Sequence, residues 1–465
     1  MKNLIYLIVL FLLPCSLFAQ DITGNWNGLL ALPNGSMRIG INITKNGTGY
    51  TATTSSPDQG VKDFPVKSIS FENNTLLFSI PQVQADYKGT YQNNSFKGTF
   101  TQGGYSLPLD FGRDEVKIAK PVRPQEPVQP YPYYSEDVTF KNAKANINLA
   151  GTLTLPKKEG NYPAVLLITG SGPQNRDSEL LDHKSFLVLS DYLTRNGIAV
   201  LRVDDRGVGS STGNFETATS EDFATDVEAA FNYLKTRKDI NKKKIGLVGH
   251  SEGGLIAPMV AANNPDVAFI VLLAGPGVTG DEVMKLQNYM IGKANGMPEE
   301  ELTKLAGINM QVYNAVKQPG TPEQVNERVT AVFNKEMKPL FISKGIPQEE
   351  ITKYIKMQVD EITSPWFVYF LRYNPAPALE KVKCPVLALN GEKDLQVAPV
   401  ANLDGIKRAL EKGGNKKVTI KQLPGLNHLF QESATGSPTE YSTIEQTFSP
   451  VALNEITTWI TKQVK

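Results

Sequence analysis

Five residues, Gly249-His250-Ser251-Glu252-Gly253, constrain this chain more than any other stretch. They follow the run Lys244–Val248 (KIGLV) and precede Leu255–Ala262 (LIAPMVAA). A short apolar run, a tight turn and a helical apolar run read as strand, elbow and helix. Glycines two residues to either side of the serine suit a turn so sharp that the two backbones touch. Such a turn lifts the Ser251 hydroxyl above the sheet edge. It also leaves the amide of Glu252 at a helix start, where N–H groups point at anions. The five residues alone are a modest signal; the strand–turn–helix context makes them a strong one.

The flanking sequence supplies the sheet that an elbow needs. Val138–Phe140 and Ile147–Leu155 read as a hairpin. Ala164–Thr169, Ile198–Val203, Ile245–Val248, Phe269–Leu273 and Val386–Leu389 are continuous apolar runs, as strands buried on both faces should be. Ser185–Arg195 has helical spacing, and so does Glu221–Arg237, where Phe223, Val227, Ala230, Phe231 and Leu234 share a face. Strands alternating with helices predict a doubly wound, mostly parallel α/β sheet over residues 135–465. Residues 279–374 break the rhythm. Val325, Val329, Val332 and Phe333 mark one amphipathic helix, and Leu302, Leu305, Val312 and Val316 another. Lying between two buried strands, this stretch is expected to form a helical cap over the sheet edge. Its aromatic run Trp366–Phe370 would serve the cap core or wall a pocket.

A serine hydroxyl attacks only when a base takes its proton. The chain has three histidines, His183, His250 and His428. His250 adjoins the serine on the wrong side of the turn and is expected to pack beside the elbow. His183 is expected in a surface or loop position after the first parallel strand. His428, in a Gly-containing loop before the last helix, is the best base. Asp394, across a turn from the strand Val386–Leu389, is the expected orienting acid, with Glu392 its rival. The chain order Ser251, Asp394, His428 is the order of the α/β-hydrolase fold and not of the two common serine proteases. Acyl transfer also needs oxyanion donors. One is the N–H of Glu252. The other lies in Gly170–Asn175, with Ser171 the first choice and Gly172 the alternative. That loop lacks the third glycine of a dinucleotide fingerprint, and no P-loop occurs. Asp205-Arg206-Gly207-Val208-Gly209-Ser210 reads mainly as a structural turn, with Arg206 paired to a carboxylate.

Five motifs now stand in order: GSGPQNRD (170–177), RVDDRGVGSSTG (202–213), GHSEGG (249–254), NGEKDLQV (390–397) and NHLFQ (427–431). Together they resemble the bacterial α/β-hydrolase carboxylesterases of the esterase D type, grouped with serine aminopeptidase-like hydrolases. The resemblance covers about residues 135–465. It implies a serine esterase with Ser251, Asp394 and His428 as its triad, a helical cap, no cofactor, and a small-molecule ester substrate with a small or medium acyl group. Asn175 stands where many relatives are expected to carry an acid. A peptidase of the serine aminopeptidase type is the alternative, and would need Glu252, Asp177 or a cap acid to hold the substrate amine. A non-catalytic binding protein on a retired hydrolase scaffold is a further alternative, opposed by the complete triad.

The front of the chain is different. Met1–Ala19 carries Lys2 and then Leu4–Leu13, an apolar run of ten residues. A bilayer span needs about 20. The run suits a signal peptide, 1–19, and hence export to the periplasm or medium. Cys15 is preceded by Pro14, which disfavours lipidation. With Cys384 the only other cysteine, neither a disulfide scaffold nor a thiolate metal site is expected. Residues 20–115 read as all-β. Met37, Ile39, Ile41 and Ile43 alternate with polar or small residues up to the Asn46-Gly47 turn. The near copies Tyr87–Tyr91 and Phe96–Phe100 flank Asn93-Asn94. Gly24-Asn25-Trp26 resembles the opening of lipocalin-type small barrels, so a lipocalin-like barrel or sandwich is expected. Pro121, Pro124, Pro127, Pro130 and Pro132 predict a semi-rigid linker over 116–134. Lys and Arg total 48 and Asp and Glu 47. This balance argues against a basic field for nucleic acid.

Overall fold

The computed structural model describes residues 21–32, 35–83, 85–102, 105–117, 121–343 and 345–465. The expected signal peptide lies outside the described residues. Those up to 117 form one compact unit and those from 121 a second.

The first unit is a single antiparallel sheet of ten strands among the described residues. Its inner face follows the period-2 pattern. Ile39, Ile41 and Ile43 are buried on Gly35–Asn46, while Arg38 and Asn42 face outward. The two near copies pair as Ala85–Gln92 with Ser95–Gln102, placing Tyr87 opposite Phe100 and Tyr91 opposite Phe96. Asn93 and Asn94 both take positive φ, as a two-residue hairpin turn requires. Trp26 is fully buried with its ring 4.6 Å from Phe96, and its indole N–H donates to the Ile22 carbonyl. Phe78, Tyr87, Phe96 and Phe111 join Trp26 in one buried cluster.

Among the described residues the main sheet of the second unit has eight strands: β1 (Tyr134–Asn142), β2 (Ile147–Leu155), β3 (Tyr162–Ile168), β4 (Ala199–Val203), β5 (Ile240–His250), β6 (Ile270–Leu273), β7 (Val386–Gly391) and β8 (Val418–Leu423). Their spatial order is 1-2-4-3-5-6-7-8. The first two strands form an antiparallel hairpin, β2 runs antiparallel to β4, and the remaining pairs are parallel. Alternate residues of each buried strand enter opposite cores. Ala164, Leu166 and Ile168 pack under α2 (Ser220–Thr236), α3 (Glu252–Ala261) and α11 (Pro399–Lys412). Val165 and Leu167 pack under α1 (Ser185–Arg195) and α12 (Pro450–Val464). Apolar residues on both faces of a strand are the mark of this doubly covered architecture. The order and connections are those of the α/β-hydrolase fold.

Among the described residues six helices lie between β6 and the end of the expected cap: α4 (Gly280–Ala294), α5 (Glu299–Lys317), α6 (Pro322–Glu336), α7 (Lys338–Ser343), α8 (Gln348–Ile362) and α9 (Pro365–Arg372). They share their own core, with Val312, Val316, Val325, Val329, Ile351 and Ile355 buried together. The remaining helix before β7 is the short α10 (Ala376–Leu379).

The Pro-rich stretch is not a free spacer throughout. The Arg123 guanidinium donates to the carbonyls of Ile444, Leu181 and Ser442. The Gln125 side chain accepts from the amides of Thr447 and Phe448 and donates to the Phe448 carbonyl. From Arg123 onward the chain is bonded into the second unit.

Candidate active site

The parallel strands β3, β5, β6, β7 and β8 deliver their carboxyl ends to one edge, where a crevice in such a sheet normally forms. Ile168 at the end of β3 lies level with Gly249 in β5, so the loop after β3 sits beside the elbow. The elbow explains its glycines. A Cβ on Gly249 would lie 2.0 Å from the Gly253 carbonyl oxygen, and one on Gly253 would lie 2.2 Å from that of Ile168. Ser251 itself takes φ 52° and ψ −118°, a region costly for a residue with a side chain. Its amide is held by the Leu273 carbonyl at 2.8 Å, which fastens the turn to β6. The serine is therefore presented under constraint at the N-terminus of α3.

Asp394 and His428 arrive from the next two strands. Asp394 follows β7 through a turn closed by its amide on the Gly391 carbonyl. Its Oδ1 accepts from the amides of Gln396 (2.8 Å) and Val397 (2.9 Å). Its Oδ2 accepts from His428 Nδ1 at 2.8 Å. That bond assigns the proton to Nδ1 and leaves Nε2 as the free acceptor. Asp394 is wholly buried and His428 nearly so. Gly391 allows the two loops to meet, since a Cβ there would lie 2.3 Å from the Leu426 carbonyl oxygen. Glu392, the rival acid, accepts from the Gly425 amide instead. Asn427 shapes the histidine loop: its Oδ1 accepts from the amides of Leu429 and Gln431, and its amide group donates to Gln431 Oε1.

Ser251 and His428 line one cleft together with Gly170, Ser171, Gln174, Phe186, His250 and Gln396. Among the described residues no direct hydrogen bond joins the hydroxyl to the imidazole, as is common before substrate arrives. Ser171 lies on the cleft wall. Gly172, the alternative donor, takes φ +88° and does not line that cleft. Gly170 is close enough to the serine that a Cβ there would meet Ser251 Cβ at 3.2 Å.

The other two histidines do other work. His250 Nε2 donates to the His428 backbone carbonyl at 2.9 Å, and the two rings lie 4.8 Å apart. Burial, followed by the neighbouring His428, pushes the His250 imidazole down to about 3. It packs beside the elbow as its position implied. His183 corrects the expectation of a surface or loop residue. It is fully buried, with Nε2 donating to the Tyr441 carbonyl (2.9 Å) and Nδ1 facing the Thr447 hydroxyl (3.0 Å). Burial lowers its proton affinity.

The loop after β3 is held by residues that sequence reasoning treated as a plain turn. Asp205 Oδ1 accepts from the Thr169 hydroxyl at 2.6 Å and its Oδ2 from the Gln174 amide at 2.9 Å. One carboxyl thus grips both ends of the loop that carries Ser171. Burial, opposed by these hydrogen bonds, pushes its titration up to about 7. Next to it, Asp204 accepts from the Arg176 amide and from Nε and Nη2 of its guanidinium. Arg206 pairs with Asp226, as expected of it. Asn175 caps the same loop by accepting from the Asp177 and Glu179 amides, so no acid is needed there.

Two of the acids offered as amine holders, Glu252 and Asp177, are engaged. Glu252 is buried, and its Oε1 accepts from the Ser220 hydroxyl (2.6 Å) and the Trp366 indole (2.8 Å). Burial raises its titration. Asp177 pairs with the buried Arg202. Among the described residues no cluster of His, Cys, Asp and Glu is arranged to hold a metal ion.

The chain resembles several known proteins. Residues 183–433, over half of the chain, match the family described as serine aminopeptidase, S33. Esterase EstD of Thermotoga maritima is 25% identical over 377 residues, 80% of each chain. The monoglyceride lipase homolog of monkeypox virus is 23% identical over 281 residues, 60% of this chain and 84% of that one. A solved esterase of Pyrococcus furiosus, 14% identical, aligns with a TM-score of 0.44 over 75% of this chain and all of that one. The chain belongs to the serine aminopeptidase S33 family of hydrolases.

Proposed function

We propose that this protein is an exported carboxylesterase that cleaves esters of small to medium acyl groups through an acyl-enzyme. One observation carries the reading: the Asp394–His428 pair, bonded at 2.8 Å, opens onto the same cleft as the strained Ser251 elbow. Similarity to EstD supports an ester as substrate. The charged start and apolar run of residues 1–19 support export.

In this account Ser251 Oγ attacks the ester carbonyl carbon while His428 Nε2 takes its proton. Asp394 holds the imidazole in the Nδ1–H tautomer and stabilises the imidazolium. The carbonyl oxygen becomes an oxyanion facing the amides of Glu252 and Ser171. Each such donor contributes about 3 kcal/mol in the transition state. Collapse of the tetrahedral species expels the alcohol, which receives the proton from His428. Water then repeats the attack on the acyl-enzyme and frees the acid. No cofactor enters any step.

The family's peptidase description supports a second reading, release of N-terminal residues. It requires an anionic group for the substrate amine, and Glu252 and Asp177 already have partners. Turnover of p-nitrophenyl acetate and butyrate against aminoacyl-anilides separates the two. Faster turnover of the esters is expected; clear preference for the anilides would establish the peptidase. For the N-terminal unit, in which Trp26, Tyr87 and Phe111 share one buried cluster, we infer a structural or docking module in place of a lipocalin-type ligand cup.

A further inference from the structure

Glu252 holds two positions in this molecule at once. Its backbone is the first residue of α3, next to Ser251. Its side chain points away from the cleft and is 3% exposed, with two neutral donors converging on one carboxyl oxygen. Ser220 comes from the start of α2, on the sheet-covering layer. Trp366 comes from the first turn of α9, in the cap. The indole is not free to drift. It stacks on Phe370, one helical turn on, at 5.3 Å and 6°. Phe370 in turn packs with Leu255 of α3 and Val283 of α4, while Met259 and Trp366 close the same cluster. Gly280 at the start of α4 lies so close to α9 that a Cβ would meet the Phe370 carbonyl oxygen at 1.9 Å.

Among the described residues, cap helix α9 and helix α3 are thus joined by an apolar seat and one polar pin. The pin ends on the residue whose amide faces the oxyanion in the mechanism above. A buried carboxyl group is costly unless its hydrogen bonds are made, so the arrangement favours the cap position that supplies the indole N–H. We propose that Glu252 is a positioning residue that couples the seating of α9, through Trp366, to the orientation of its own amide at the oxyanion. The inference rests on the esterase reading. A cap displaced at α9 would release the pin and loosen the elbow donor. A cap seated over bound substrate would restore it. Glu252 therefore acts on the rate of the chemical step, not on substrate affinity.

The test is a double-mutant cycle on Trp366→Phe, which keeps the ring and removes the N–H, and Glu252→Ala. Rates are taken per active site, counted by fluorophosphonate labelling, so that a misfolded fraction drops out. We expect kcat for p-nitrophenyl acetate to fall about tenfold in each single variant with KM within about twofold. The double variant should fall no further than the worse single. Glu252→Gln, which still offers an acceptor to both donors, should recover most of the rate lost in Glu252→Ala, and Trp366→Phe should remain epistatic to it. Multiplicative losses, or an unchanged kcat in Trp366→Phe, would overturn the coupling. Should Glu252→Ala fail to fold, kcat of Trp366→Phe alone decides: a fall of about tenfold with KM unchanged is expected, and an unchanged kcat would overturn the coupling. Labelling of the wild type at Ser251 reports on the esterase reading separately, so the coupling can fail while that reading stands.

Discussion

Asp394 Oδ2 lies 2.8 Å from His428 Nδ1, although the two residues come from loops after different strands. Both backbone amides on Asp394 Oδ1 keep that carboxylate aimed at the ring. The pair therefore fixes one tautomer before any substrate binds, and the proposed chemistry depends on that tautomer.

Replacing the acid tests the tautomer directly. Asp394→Asn retains the shape and offers an amide where the ring now donates. It is expected to lower kcat on the order of 10³–10⁴-fold with the fold intact. Steady-state kinetics beside a thermal melt measure both. A loss below about tenfold would mean that Asp394 does not orient the base.

The two adjacent histidines should behave very differently. His428→Gln is expected to reduce kcat on the order of 10³-fold or more. His250→Gln, which can still donate to the His428 carbonyl, should cost less than about tenfold. The His250 imidazole, held down to about 3 by burial, stays neutral through the working range. The acid limb of kcat/KM should therefore persist in His250→Gln. Disappearance of that limb would assign the essential base to residue 250.

Asp205 gives a pH dependence of stability. Its titration is raised to about 7 in the folded protein, against about 3.9 in an unfolded chain. Between those values the native state holds the extra proton. Stability attributable to this group is present below pH 4, declines as pH rises towards 7 and is flat above it. Partial solvent screening keeps the change on the order of 1–2 kcal/mol. Urea midpoints at pH 5 and pH 8 should differ more in wild type than in Asp205→Asn. Equal differences would place the titration elsewhere.

The second unit should function without the first. A chain starting at Pro121 keeps Arg123 and Gln125, whose side chains are bonded around Ile444 and Phe448. It is expected to fold and to hydrolyse small esters at a rate within about threefold of the full chain. Starting at Tyr131 strips those bonds and should lower the melting temperature by several degrees, since each buried bond contributes about 1 kcal/mol. An inactive but folded 121–465 would show that the N-terminal unit completes the site.

Much of this was legible along the chain because burial on both faces leaves a dense signal. The runs at Ala164, Ile198, Ile245 and Val386 became β3, β4, β5 and β7, and the elbow glycines marked the tight turn that carries Ser251. β8 escaped because it is an edge strand: Val418–Leu423 mixes Lys421 and Gln422 into a half-exposed pattern. His183 was misplaced because its partners, Tyr441 and Thr447, lie over 250 residues away. Trp366 was a plain aromatic in the sequence, since its contact with Glu252 spans 114 residues. Asp205 looked like turn chemistry because its two loop partners become neighbours only when β3 and β4 pair.

The most direct measurement is the site of covalent labelling by a fluorophosphonate probe, read by peptide mapping. The account predicts one stoichiometric adduct on Ser251, absent in Ser251→Ala and formed far more slowly in His428→Gln. An unlabelled wild type, or an adduct on another serine with Ser251→Ala still reactive, would contradict it.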